Sequence, residues 1–268
     1  MERRVGSGKA TIEAAANGTF VLRVDDSLQS QVDLADPTQL LFEYVRRIGD
    51  VLDLVAPRRQ PISVLHIGGA GLTLPRYVAV TRPRSRQIVL EPDEDLTEFV
   101  REALPVPKRA GIKVRGATGR AGITDLYDDS TDVVVVDAFV REAVPGNLVT
   151  AEFVAQCARI LRPAGVLVLN LIDGSAGLGF VRRVAATVRA GLGDGVVLAE
   201  RKVLRGKSFG NVVMVASRQA VPDLTAAGRR AQPPYDVVPL KVQAGKAEPL
   251  TDAEGFVSPA APAGTFGR

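Results

Sequence analysis

Three apolar runs, each closed by a glycine loop or a carboxylate, constrain the fold of this 268-residue chain more than any other feature. They read SVLHIGGAGLTLPR, QIVLEPD and DVVVVDAF, in that order. The first run breaks at Gly68, Gly69 and Gly71, and a helix-like stretch follows from Leu72. A strand–glycine loop–helix lets a ligand lie against bare backbone, beside the free N–H groups of a helix N-terminus. The second run closes on Glu91, roughly 20 residues later, where a mononucleotide-binding βαβ unit carries its ribose-binding acid. The third closes on Asp137. Open α/β sheets bind ligands at the carboxyl ends of their parallel strands, so these three places should converge on a nucleoside-containing ligand.

Composition narrows the rest. Hydrophobic residues at 46% and charged residues at 24% match a folded globular chain with a large core. No run has the roughly 18–20 apolar residues of a membrane span, and MERRVGSGKA lacks the apolar segment of a secretory signal. A cytoplasmic setting is the expectation, with no membrane partner. The single cysteine, Cys157, excludes an internal disulfide and suits a buried helix face. The sole histidine, His66, sits inside the first strand and has no second His or Cys with which to build a zinc site. The net charge of +4 is spread among turns, and aromatic content is only 5% without tryptophan. A nucleic-acid partner is therefore not expected.

Residues 10–34 alternate as strands around Asn17-Gly18, a strong hairpin signal, and Asp25-Asp26-Ser27 reads as a second turn. A helix is expected to start at Asp36-Pro37 and run to Val55 on an apolar stripe. Strands and helices then alternate to about residue 217, ending in VVLAERKVL and NVVMVAS, which should pair as a hairpin. Thr150 reads as the N-cap of AEFVAQCARIL. The expected fold class is α/β: a Rossmann-like, mainly parallel seven-stranded sheet with an antiparallel C-terminal hairpin, plus a small N-terminal β unit. The expected division is 1–56 (β unit and linking helix), 57–220 (nucleoside-binding domain) and 221–268 (a Pro/Ala-rich, partly flexible extension).

Two points of chemistry follow from the residues alone. Counting from Gly69, the third glycine of a dinucleotide fingerprint would fall on Leu74, which disfavours a nicotinamide cofactor. Asp137, after four valines, stands at the mouth of a buried strand, where partial desolvation raises a carboxyl pKa and suits a general base. Phe139 either walls a pocket or plugs the core.

The order of these motifs resembles the spermidine synthase family, polyamine aminopropyltransferases on the class I S-adenosylmethionine-dependent methyltransferase fold. The resemblance spans about residues 18 to 217. VLRVDDSLQ is similar to the family's LDGxxQ hairpin, which implies that Gln29 contacts the nucleoside. IGGAGLTLPR resembles IGGGDGxxLR, matching Gly68, Gly69 and Arg76 and placing Gly71 where the family has an aspartate. LEPD resembles VEID and assigns Glu91 to the ribose. The stretch from Val133 resembles DxxDPxGPxxxLFTxEFY, with Asp137 as catalytic base and Val140 at the second aspartate. The adenine contact falls near Gly116-Ala117, so Ala117 is the assigned position, without the family's carboxylate. ILRPAGVLVLN is similar to LKPGGxxxxQ. Asp125, Asp128 and Asp129 are loop acids that could replace the missing anchors.

The resemblance implies aminopropyl transfer from decarboxylated S-adenosylmethionine to a polyamine or other amine, with no prosthetic group and no metal. It also implies a homo-oligomer formed through the N-terminal β unit. Methyl transfer from S-adenosylmethionine, or a non-catalytic nucleoside-binding module that kept the scaffold, are the alternatives.

Overall fold

The computed structural model describes residues 1–140, 142–174, 177–256, 258–259 and 262. The N-terminal pattern folds as an antiparallel sheet in chain order: β1 (Glu2–Val5), β2 (Gly8–Ala14), β3 (Phe20–Val24) and β4 (Ser27–Val32). The side chain of Asn17 accepts from the Thr19 N–H at 3.3 Å and from its hydroxyl at 2.7 Å, building the first turn. Asp25 and Asp26 both have positive φ, the geometry that a two-residue hairpin needs. β1 was not expected; its four residues are too short and too charged to show a period.

Helix α1 covers Glu43–Leu54, not 37–55. Asp36 accepts from the Thr38 N–H and hydroxyl and from the Gln39 amide, so its side chain closes a local turn and delays the helix. There follow β5 (Ser63–Ile67), α2 (Thr73–Thr81), β6 (Arg86–Leu90), α3 (Glu94–Ala103), β7 (Ile112–Arg115), the single turn α4 (Gly119–Gly122) and β8 (Thr131–Val136). The remainder is α5 (Ala151–Ile160), β9 (Leu161–Asp173), α6 (Gly179–Leu192), β10 (Gly195–Ala199), α7 (Arg201–Leu204), β11 (Gly210–Ser217), α8 (Thr225–Arg230), β12 (Asp236–Pro239) and α9 (Leu240–Ala244). As expected, the Thr150 hydroxyl caps α5 by accepting from the Phe153 N–H.

The main sheet runs β12-β10-β11-β9-β8-β5-β6-β7. β5 to β9 pair in parallel, and β11, β10 and β12 close one side antiparallel. The α/β class, the mostly parallel sheet, the small N-terminal sheet and the terminal hairpin are all as the sequence implies. The sheet has eight strands rather than seven because Asp236–Pro239 adds an edge strand to β10. Four residues ending in proline suit an edge, where a missing N–H costs nothing, and they show no alternation to read. The VVLAERKVL run is also shorter as a strand than expected, since 201–204 turn into α7.

The valines of β8 show how the layers form. Val134 and Val136 enter the core under α5 and α6, while Val133 and Val135 enter the core under α1 and α2. Each buried valine is worth roughly 1.5–3 kcal/mol relative to exposure. A third core joins the N-terminal sheet to α3 through Leu22, Val24, Leu96 and Phe99. After β5 the chain first goes to β6 on one side and later returns to β8 on the other, so a crevice opens between the ends of β5 and β8.

Candidate active site

That crevice widens into a cavity of about 1510 Å³. Gln29, Gly68, Gly69, Glu91 and Asp137 all line it. Gly71 and Ala117 do not, although Thr118 and Gly119 beside Ala117 do.

The glycine loop fits by contact rather than by pattern. Gly68 has φ +94°, and a Cβ there would lie 2.1 Å from the carbonyl oxygen of Asp137. The ends of β5 and β8 touch at this point, and the Asp137 N–H donates to Ile67 O at 2.9 Å. Only glycine permits both the dihedral and the approach. At Gly71 a Cβ would meet Ser30 Cβ at 2.8 Å and Val32 Cγ2 at 3.0 Å. The Gly71 N–H donates to Ser30 Oγ at 3.1 Å, so β4 covers this residue. Arg76 is buried and spends its guanidinium on the carbonyls of Gly71, Leu104 and Pro105, which ties the loop to the end of α3.

Glu91 is held by both carboxylate oxygens. Oε2 accepts from the Gly69 N–H at 2.9 Å and Oε1 from the Asp93 N–H at 3.1 Å. A carboxylate oxygen has a second acceptor site, so Glu91 keeps capacity for hydroxyl donors in the cavity.

Asp137 is half-buried where β8 ends. Burial pushes its carboxyl up to about 6, against the opposing effect of hydrogen bonds from Asn170 and Tyr44. Asn170 Nδ2 donates to Oδ1 at 2.8 Å, and Asn211 Nδ2 in turn donates to Asn170 Oδ1 at 3.1 Å. Burial, and then the negative charge of Asp137, drive the Tyr44 hydroxyl well above its ordinary range, so Tyr44 is a fixed donor. These three neighbours were missed from sequence. Asn170 was the readable one, a lone amide inside the apolar run VLVLNLI.

A second charged group lines the same cavity. Arg47 is buried and lies 3.6 Å from Glu43 and 3.9 Å from Glu200, while Lys202 lies 3.2 Å from Glu200. Burial first, then the charge of Glu200, raises the Glu43 carboxyl.

The loop acids do not serve the cavity. Asp128 pairs with Arg159 at 2.6 Å and Asp129 with Arg218 at 3.3 Å, and neither these nor Asp125 line it. All three precede β8, at the sheet end opposite Asp137. Val140 lines the cavity and is 63% exposed, and Phe139 lines it while packing on the core. His66 is buried against Gln87 at 3.0 Å, and burial lowers its pKa to about 4, leaving it neutral at pH 7. Cys157 is buried on α5, where burial raises the thiol far above its ordinary value. Among the described residues no group of His, Cys, Asp or Glu could hold a metal ion, and no helix is long and apolar enough to cross a membrane.

The fold is that of the class I methyltransferase type. A human methyltransferase-like protein 13 structure in complex with SAH aligns over 80% of this chain and 97% of its own, with a TM-score of 0.57 and 20% identity. The chain is more narrowly spermidine synthase-like. A probable spermidine synthase from Corynebacterium glutamicum aligns over 94% of this chain and 96% of its own, with a TM-score of 0.87 and 24% identity. A polyamine aminopropyltransferase from Chromobacterium violaceum is 25% identical over 201 residues, 75% of this chain and 72% of the relative. No family model matches the chain.

Proposed function

We propose that the protein is a transferase of the aminopropyltransferase type, moving an aminopropyl group from a nucleoside sulfonium donor to an amine. One observation carries this reading: Asp137, with its carboxyl near 6, stands in the same cavity as Glu91 and the Gly68–Gly69 backbone. The relatives named for aminopropyl transfer support it, and in this reading the sulfonium donor is decarboxylated S-adenosylmethionine.

In this reading Glu91 receives the ribose hydroxyls, Gly68 and Gly69 give the nucleoside close access to backbone, and Gln29 covers it from the N-terminal sheet. Gly71 acts by taking up no space, which lets β4 close down. Ala117 packs on the core outside the cavity, and Thr118 and Gly119 beside it bound the base without a charged contact. Asp137 takes a proton from the incoming ammonium. The freed nitrogen lone pair attacks the propyl carbon next to sulfur, that carbon–sulfur bond breaks, and its electron pair stays on sulfur as a neutral thioether. The leaving group is already activated by its positive charge, so positioning and proton removal are the protein's contributions. Because Asp137 must be ionised, the rate should fall as pH drops through about 6.

The test is incubation with decarboxylated S-adenosylmethionine and a panel of mono-, di- and polyamines, with methylthioadenosine and the alkylated amine as readouts. Amine-dependent methylthioadenosine release supports the proposal. Homocysteine nucleoside released from intact S-adenosylmethionine would replace it with methyl transfer. Binding of nucleoside without any product would leave a non-catalytic module.

A further inference from the structure

We propose that Asn211 is a positioning residue that orients the Asn170 amide, so that Asn170 presents its N–H rather than its oxygen to Asp137. This rests on the reading of Asp137 as the base.

The two asparagines sit on neighbouring antiparallel strands, with Asn170 opposite Val213 and Asn211 opposite Ile172, so their side chains meet on the diagonal. Asn170 is 1% exposed near the C-terminal end of β9, and Asn211 is the second residue of β11, opposite Ile172. An ionised carboxylate only accepts, so Asn170 must turn Nδ2 toward Asp137. Its Oδ1 then needs a donor, and Asn211 Nδ2 supplies one at 3.1 Å. The backbone carbonyl of Asn211 accepts from Arg47 Nη1 at 3.1 Å, which holds the start of β11 in place. Donors and acceptors match along the whole chain from Asn211 to Asp137.

The reverse orientation shows what the pairing does. A protonated Asp137 would gain by meeting the Asn170 oxygen. Flipping Asn170 alone to offer it would set two amide N–H groups against each other, so both asparagines would have to turn together. The pairing therefore favours the carboxylate, which only accepts, over the acid, whose hydroxyl would find no acceptor on Asn170. Burial raises the Asp137 carboxyl, and Asn170 and Tyr44 restrain that rise. Asn211 makes the Asn170 part of the restraint one-directional. Other groups face the same space: Tyr44, Glu43 and Arg47 from α1, Glu200 and Lys202 around α7, and the neutral His66 from β5. Replacing Asn211 by leucine changes none of their charges.

The experiment is a titration of the Asp137 carboxyl carbon by NMR in protein labelled at aspartate, with Asp137→Asn assigning the signal. The wild-type midpoint is expected at about 6. Asn211→Leu should move it upward by about half a unit to one unit, the scale of one hydrogen bond. Asn170→Leu should move it at least as far, and the double variant no further than Asn170→Leu alone, because Asn211 acts only through Asn170. The acid limb of kcat/KM should follow the same order. A midpoint unmoved in Asn211→Leu, or shifts that add in the double variant, would overturn the proposal. Asn211→Leu by itself decides the matter if the buried Asn170→Leu fails to fold. The titration needs no turnover, so absence of aminopropyl transfer would remove the functional reading while leaving this inference separately decided.

Discussion

Two aspartates stand just beyond the carboxyl ends of parallel strands in one sheet, and they behave in opposite ways. Asp93, after β6, accepts from the Ser7 hydroxyl at 2.5 Å and from the N–H groups of Ser7, Leu96 and Gly6 at 2.7, 3.0 and 3.2 Å. Burial works to raise its carboxyl, but the Ser7, Leu96 and Gly6 donors together hold it below the ordinary value. Asp137, after β8, is restrained only by Asn170 and Tyr44, and burial takes it up to about 6. The difference is the supply of donors. Asp93 joins the N-terminal sheet to α3 and is saturated, so its charge is committed to structure. Asp137 is under-supplied, so its charge remains available to a substrate.

The largest effect that could break this contrast is at Asp137. Asp137→Asn should lower turnover by about a hundredfold or more, the usual scale for removing a general base. The same change should raise the melting temperature above pH 6. A carboxyl whose folded value exceeds its unfolded one costs stability once ionised, and that cost vanishes as pH falls below the unfolded value. Initial rates and thermal melts at pH 5 and 8 check both parts. Lost turnover together with lost stability would mean that Asp137 is structural, like Asp93.

Gly68→Ala comes next. The added Cβ would press on the Asp137 carbonyl at 2.1 Å in a backbone with positive φ. Destabilisation of about 2 kcal/mol is expected from the strained dihedral and the contact, with weakened nucleoside binding. Denaturant melts and equilibrium binding of methylthioadenosine read the two effects. A variant that binds and melts normally would show that the ends of β5 and β8 need not touch.

Much of this architecture was legible because burial on both faces leaves an unambiguous mark. The apolar runs at 64–67, 87–90 and 133–136 are strands, and Gly68, Gly69, Glu91 and Asp137, which close the three, meet in one crevice. The Asn17-Gly18 hairpin and the Thr150 cap were equally local and equally readable. What escaped depended on partners far along the chain. Tyr44 looked like one position on an amphipathic stripe, and nothing nearby indicated that it would reach Asp137. Arg47, Glu43 and Glu200 form a group only because α1 packs beside β11 and α7. Gly71 read as a ligand contact from its loop, yet Ser30, 41 positions earlier, takes its N–H. β12 had neither the length nor the alternation to be seen.

The smallest predicted effect sharpens the contrast from the other side. Asp93→Ala removes the N-cap of α3 and the carboxylate that gathers the Gly6–Ser7 turn. A loss of about 1 kcal/mol is expected from the cap, with no change in the pH dependence of turnover, because Asp93 does not line the cavity. The sign of its own pH dependence is opposite to that of Asp137. A carboxyl held below its unfolded value contributes stability that is present above the unfolded value and lost as pH falls through the folded one. Wild type and Asp93→Ala should therefore differ most in melting temperature near pH 7 and converge toward pH 3. Asp137→Asn should diverge from wild type as pH rises. If both variants instead converged with wild type at low pH from the same side, the two carboxylates would share one role and the division between joint and cavity would fail.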